Sequence, residues 1–284
     1  MSQLTLGWQS LGRRKVVPGF RLSLGFTLFY LSLIVLIPLG VLVARAAGLG
    51  FAGIWAVLST PRVIAALRIS FVTSLLAAAF NLPVGLLVAW VLGRYDFIGR
   101  RLLDAIVDLP FALPTAVAGI SLSTLYAQNG WIGSLLAPFG IKVAYTPLGI
   151  FVALVFIGLP FVVRSVQPVL AEIETEIEEA SATLGASRWR TFRHVILPLL
   201  LPAVLTGFAL ALARGIGEYG SVIFIAGNIP FVSEIAPLLI VTKLSEFDYA
   251  GAMVIAVAML AISFLLLAAI NLVQFWTLRR FGHE

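Results

Sequence analysis

Long runs without charge divide the chain. Residues 22–44, 69–93, 109–141, 143–163, 195–213, 219–233 and 249–278 contain no Asp, Glu, Lys or Arg. A hydrocarbon core of ~30 Å is crossed by ~20 apolar residues rising ~1.5 Å each. Six of these runs can therefore hold a full span, while 219–233, with 15 residues, is too short to cross alone. The run 109–141 has 33 residues, too few for two spans and a turn, and it breaks at Gln128-Asn129-Gly130, Pro138 and Gly140. It predicts one span near 107–127 followed by an irregular loop. The first run has the look of a signal peptide, with Arg13, Arg14, Lys15 and Arg21 before it and Ala44-Arg45-Ala46 after it. At 23 residues it exceeds a signal core of ~7–15, so a retained span is expected.

Hydrocarbon offers no partner to an open backbone N–H or C=O, so spans are helices or closed barrels. Barrel strands alternate apolar and polar over ~10 residues, and these runs do not alternate. The expected fold is all-α: a polytopic bundle of six transmembrane helices in a single domain, 1–284, with a large loop at 164–194.

Composition agrees. The chain is 61 % hydrophobic and 11 % charged, against about 45–50 % and 25 % in a soluble domain, which excludes a soluble or disordered protein. The net charge of +6 follows the membrane topology. Arg13, Arg14, Lys15, Arg21, Arg94, Arg100, Arg101, Arg164, Arg188, Arg190, Arg193, Arg279 and Arg280 fall on one side of the predicted bundle. Only Arg45, Arg62, Arg68, Lys142, Arg214 and Lys243 fall on the other. Lys and Arg gather in cytoplasmic loops, so both termini are expected inside, and no nucleic-acid partner is needed to explain the basic excess. No Cys and two His, His194 and His283, leave no thiol chemistry and no histidine metal site.

Interruptions mark the spans. Pro38 lies in the first, Asn81 and Pro83 in the second, Pro110 and Pro114 in the third, and Gly158-Leu159-Pro160 in the fourth. Proline removes a donor and kinks a helix, and membranes tolerate this where the break packs on protein or lines a cavity. Proline is also simply common in membrane helices. The clustering in Asp108-Leu109-Pro110-Phe111-Ala112-Leu113-Pro114-Thr115 favours a pathway role for Pro114 and Thr115.

Arg214 and Glu218 are four apart and can pair on one helix face. As interfacial flankers they would be ordinary. If the fifth helix starts near Leu199 and runs through Gly220, the pair lies inside the membrane, where charge is costly and usually functional. Gly215-Ile216-Gly217-Glu218-Tyr219-Gly220 fits G-x-G-x-x-G but follows no strand, so it is not a dinucleotide site. There is no G-x-x-x-x-G-K-[ST] in the sequence; if ATP drives this chain, another subunit binds it.

The loop 164–194 is the most informative segment. Glu172, Glu174, Glu176, Glu178 and Glu179 precede Arg188, Arg190 and Arg193. Ile173, Ile177, Ala180 and Leu184 form one helical stripe. Gly185 can take the left-handed cap. Ser187 can cap a second short helix through Trp189, Phe192 and Val195, with Pro198 at the entry to the fifth span. The pattern predicts helix–Gly–helix, an L-shaped knob. An amphipathic helix resting on lipid is the competing reading; the five acids argue against it, and a short striped helix suits a partner's groove.

Glu179-Ala180-Ser181, three residues, Gly185, nine residues, then Val195-Ile196-Leu197-Pro198 resembles the EAA motif of ABC importer permeases, E-A-A-x3-G-x9-I-x-L-P. It departs at Ser181 and Val195. Asp108 to Gly119, Pro160 to Leu170, Gly217 to Asn228 and Glu246-Phe247-Asp248-Tyr249 are similar to sulfate/thiosulfate (CysT-type) permease subunits, with Tyr219 where Phe is expected. The likeness runs from about Pro18 to Thr277, and molybdate permeases share much of it. The resemblance implies a type I importer permease with alternating access and no cofactor of its own. Its implied partners are an ATPase dimer carrying ATP and Mg, a second related permease subunit, an extracytoplasmic sulfate-binding protein and the lipid bilayer. It also implies that this loop is the coupling helix, so Glu179, Ala180 and Gly185 are expected to shape a coupling knob and Leu197 and Pro198 to fix its junction to the fifth span. From their charge and spacing, Arg214 and Glu218 are expected to form a gate or anion-sensing pair. A bacterial inner membrane is expected, with a plastid envelope as the alternative. A transporter working without an ATPase would show internal inverted repeats, and none is evident. A membrane enzyme would need a nucleophile–base or metal constellation, and none is present.

Overall fold

The computed structural model describes residues 19–281; the basic tail with Arg13, Arg14 and Lys15 lies outside them. All elements among the described residues are helical. In chain order they are α1 (Leu22–Ala47), α2 (Gly50–Leu58), α3 (Pro61–Arg94), α4 (Arg100–Val107), α5 (Leu109–Ala112), α6 (Thr115–Tyr126) and α7 (Trp131–Leu136). After them come α8 (Pro147–Glu172), α9 (Thr175–Thr183), α10 (Arg188–Ile216), α11 (Val222–Ala226), α12 (Ala236–Ser245) and α13 (Tyr249–Phe281). Helices α1, α3, α8, α10 and α13 are long and apolar enough to cross a membrane.

The expected third span, 107–127, is not one helix. It is divided into α4, α5 and α6, and α6 has only 12 residues. Leu113, ahead of Pro114, is extended at φ −82°, ψ 135°, because the proline ring excludes the helical conformation from the residue before it. Two other prolines are absorbed differently. Single π turns, Ser32–Leu36 and Phe192–Ile196, stand immediately before Ile37-Pro38 and Leu197-Pro198. The widened turn accommodates the missing donor and the ring, so α1 and α10 stay continuous.

Helices α3, α8 and α10 form the core. Leu92, Val162, Val163, Leu170 and Leu200 are fully buried between them. Small residues bring the backbones together, as is usual where lipid supplies no hydrophobic drive between helices. A methyl on Gly85 would lie 2.7 Å from Val162 Cβ, and one on Gly207 would lie 2.7 Å from Val162 Cα. By contrast, α1 buries none of its most apolar stretch and lies at the margin. The run 219–233 does not cross. It forms the five-residue α11 and then turns, and Val222, Ile225, Ala226, Ser233 and Ile235 are all buried. Ile229, Phe231 and Val232, in the irregular stretch between Ala226 and Ser233, are exposed.

Candidate functional site: an elbow and a half-buried ion pair

Helix α3 runs past several parts of the site in turn. From its N-terminal end, Arg62 binds Glu234, Ser70 Oγ accepts the Ala236 N–H at 2.7 Å, and Ser74 packs on Gly215. Farther on, Asn81 Nδ2 donates to the Val155 carbonyl at 3.1 Å, Gly85 meets Val162, and Arg94 reaches Ile173 and Glu178. At ~1.5 Å per residue, the Ser74 and Arg94 levels are ~30 Å apart.

At the Arg94 end stands the elbow. Helix α9 ends in a Schellman motif: the Gly185 N–H donates to Ala182 O at 2.9 Å and the Ala186 N–H to Ser181 O at 3.1 Å. Gly185 has φ +79°, the left-handed conformation that a Cβ disfavours. Two residues on, Ser187 Oγ accepts the Arg190 N–H and caps α10. The helix–Gly–helix expectation is met, with one correction. Ile173 does not belong to the exposed stripe. Helix α9 starts at Thr175, and Ile173 lies in the core with its carbonyl accepting from Arg94 at 3.1 Å. The outward face is carried by Ile177, Ala180 and Leu184, with Leu184 88 % exposed, and by Trp189 beyond the bend. Glu179 is exposed beside them. Leu197 and Pro198 follow the π turn, part-buried, where α10 enters the core.

Arg94 holds the elbow. Its guanidinium pairs with Glu178 at 2.8 Å and lies 5.9 Å from the Trp90 ring. Trp90 in turn stacks edge-on with Phe192 at 5.6 Å. A charge, a carbonyl and two rings thus fix α9 and the start of α10 to the end of α3.

At the opposite end, Arg214 and Glu218 form the expected ion pair. The helix expected to carry both does not. It begins at Arg188 rather than near Leu199 and stops at Ile216, and Glu218 lies in the turn beyond it. Three glycines in six residues, Gly215, Gly217 and Gly220, remove the helix propensity there. The turn lets the Glu218 carboxylate, 1 % exposed, accept from Ser221 N–H at 2.8 Å and Ser221 Oγ at 2.9 Å. Arg214 remains about one-third exposed. Thr115, after Pro114, packs against Gly220, and Gly119 against the Ser221 carbonyl. Either glycine is too close to its neighbour to admit a side chain. The structure therefore gathers Arg214, Glu218 and Thr115 around one turn, with Pro114 directly before Thr115 at the N-cap of α6.

The described residues contain no group of three or more His, Cys, Asp or Glu placed to hold a metal. What the arrangement offers is a rigid lever at one end and a charged, irregular segment at the other, joined through α3, α8 and α10.

Residues 81–283 match the model of the binding-protein-dependent transport system inner membrane component family. The chain belongs to that family. Among its curated relatives, the sulfate transport system permease protein CysT of Escherichia coli is 51 % identical over 275 residues, covering 97 % of this chain and 98 % of that protein. The CysT of Synechocystis sp. is 49 % identical over 277 residues, covering 98 % and 93 %. A solved bacterial ABC transporter involved in the import of the acidic polysaccharide alginate superposes with a TM-score of 0.74 over 90 % of this chain and 95 % of that one, at 14 % identity. The chain is thus a multi-pass ABC importer permease in fold.

For this permease, sequence reading missed the ion pairs that assemble the site. Arg164 binds both Asp108 oxygens at 2.7 and 2.6 Å, Asp104 at 2.7 Å and Gln167 at 2.6 Å. That cluster pins the broken α4–α5 segment to α8. Arg62 grips Glu234 bidentately at 2.8 and 2.7 Å. The one signal available was Asp108 and Glu234 themselves, acids at the edges of long charge-free runs.

Proposed function

We propose that this chain is the membrane-spanning subunit of an ATP-driven sulfate importer, six-spanning with both termini inside. Its α9 elbow faces the cytoplasm and docks on a separate ATPase. The supporting observation is the elbow: a left-handed glycine bend, fixed to the core through Arg94 and Glu178, that presents Ile177, Leu184 and Trp189 to solvent. A rigid apolar knob of that kind fits a groove on a partner. Near-half identity to CysT proteins over almost the whole chain supports sulfate as the cargo.

In this reading Glu179, Ala180 and Gly185 shape the knob, and Leu197 and Pro198 join it to α10. ATP and Mg belong to the ATPase pair. A related second permease subunit completes the pathway, and an extracytoplasmic binding protein delivers the anion. Closure of the ATPase pair moves both elbows, the bundle opens outward, and hydrolysis resets it. Arg214, Glu218, Pro114 and Thr115 form the gate at the far end, where two interruptions of helix geometry meet one buried charge. The membrane is the bacterial inner membrane; a plastid envelope would use the same device.

The deciding experiment is uptake of labelled sulfate and of labelled molybdate by a strain lacking this chain, with and without the gene restored. Sulfate uptake that returns with the gene and is not competed by molybdate supports the reading. Rescue of molybdate uptake alone would reassign the cargo, and sulfate flux by the lone purified chain in liposomes would remove the ATPase.

A further inference from the structure

Arg68 is the charged residue in α3 that the site does not use. It is exposed, and among the described residues it has no ion pair or hydrogen bond. It lies seven residues inside the start of α3, and Ser74, packed on Gly215, is six residues farther on. An unpaired guanidinium on a membrane-spanning helix is costly unless something answers it.

What surrounds it is apolar. Arg68 opens onto a groove of about 820 Å³ between α3 and the start of α8. Its walls include Ile64, Val72, Leu76, Phe151 and Phe231. The groove follows α3 from Pro61 to Leu76, ~22 Å at helical rise. A sulfate ion does not suit it. The dianion would surrender its hydration to a wall offering one cation and little other polarity, and such desolvation is expensive. An amphiphile does suit it: a long apolar tail beside one fixed positive charge.

The geometry points to a seat for an anionic phospholipid, at the end of the bundle away from the elbow. Its phosphate meets the Arg68 guanidinium, whose aliphatic stem can lie along the apolar wall while the charge stays at the polar end. One acyl chain lies over Val72, Leu76 and Phe151. The site takes a phosphate diester with a net negative headgroup in preference to a zwitterionic one, because a neighbouring ammonium would oppose the guanidinium. Neither the family nor the anion cargo requires this seat.

The test uses the full chain, purified in detergent with the subunits it retains, and mixed with equal amounts of dioleoylphosphatidylglycerol and dioleoylphosphatidylcholine. Native mass spectrometry reads which lipid stays bound. The expected preference for the anionic lipid is about tenfold, the worth of one charge-assisted pair. Arg68→Gln should bring it to near parity, and Arg68→Lys should keep most of it. Val72→Trp, which fills the groove, should reduce retention of both lipids. Equal retention by the wild-type protein overturns the proposal, as does a preference that survives Arg68→Gln. Because the chain has no cysteine, Leu148→Cys gives a single reporter at the groove. Efficient disulfide or bismaleimide capture of another protein chain there, in native membranes, would show a subunit interface and also overturn it.

Discussion

Arg94 and Glu178 are 84 positions apart, and their side chains meet at 2.8 Å. The pair joins the last residue of α3 to the first turn of α9, and Arg94 also donates to the Ile173 carbonyl between them. The elbow is thus tied to α3, and α3 also packs through Ser74 on Gly215, one residue after Arg214. Because Arg94 is mostly buried and Glu178 about one-third exposed, removing one partner leaves a poorly solvated charge.

Glu178→Arg should therefore lower sulfate uptake several-fold while leaving the ATPase bound, because the knob persists but its link to α3 is repelled. The double reversal Arg94→Glu with Glu178→Arg should restore part of the loss. Uptake and ATPase rates measured on the same membranes check this; equal impairment in the single and double variants would count against transmission through the pair.

Gly185→Val places a β-branched side chain at φ +79°, a strain of about 1–2 kcal/mol from the left-handed backbone alone. No heavy atom lies within 4 Å of the new Cβ, so crowding is not the cause of any defect. The bend should open, and ATP turnover should run on without uptake at normal expression. Gly185→Asn, which tolerates this conformation, should keep most activity. Wild-type uptake by the valine variant would refute the elbow as the coupling geometry.

Arg214→Ala leaves the Glu218 carboxylate buried with only Ser221 donating to it. A loss of about 2–3 kcal/mol is expected, below that of a fully buried pair since Arg214 is partly exposed. Arg214→Gln with Glu218→Gln should recover the stability and not the uptake. Thermal unfolding and transport measured side by side separate the two roles; recovery of both would leave the pair a structural bond only.

Asp248 gives a pH dependence. Its carboxylate accepts the Gly251 N–H at 2.9 Å, capping α13, and pairs with Lys243 at 3.0 Å. The cap and the ammonium hold its pKa below the usual carboxylate value. A lowered folded pKa means the stabilisation is complete at neutral pH and fades as pH falls through the ordinary carboxylate range toward that lowered value. Asp248→Asn keeps a capping oxygen and loses the charge. Its melting temperature should lie below wild type at pH 7, and the gap should close below about pH 4. A gap independent of pH would rule out the carboxylate as its source.

The elbow was legible in the sequence because its determinants are local. Gly185, Ser187 and Pro198 lie within 14 residues, and the two caps act through bonds spanning five residues or fewer; the π turn ahead of Pro198 emerged only in the structure. The Arg214–Glu218 pair was legible for the same reason. The end of α10 at Ile216 was not, because hydropathy continues through Val222-Ile223-Phe224-Ile225 and outweighs the glycines that stop the helix. Ile173 was misplaced because its apolar side chain fits the helical stripe equally well, and only tertiary contact with Arg94 decides otherwise. The charge clusters of Arg164 and Arg62 join residues 56 to 172 positions apart, a relation that periodicity does not carry.

The Arg164 cluster leads to the last prediction. The expected third span is interrupted at Asp108 and again at Leu113-Pro114, so no single continuous helix holds its pieces in line. Arg164 does so instead, with hydrogen bonds to Asp104, Asp108 and Gln167. All three groups are partly exposed, which limits the expected loss from Arg164→Gln to about 1–2 kcal/mol. Its effect on geometry should be larger than its effect on stability, because α6 presents Thr115 to Gly220 only while α4 and α5 are anchored. Arg164→Gln should thus alter the exposure of the far turn. A cysteine replacing Tyr219 in this cysteine-free chain should react faster with a water-soluble maleimide in the Arg164→Gln background than in the parent. Asp108→Asn, which keeps Asp104, should give an intermediate rate. Identical labelling rates in all three would mean that the cluster anchors its own end and transmits nothing along α6.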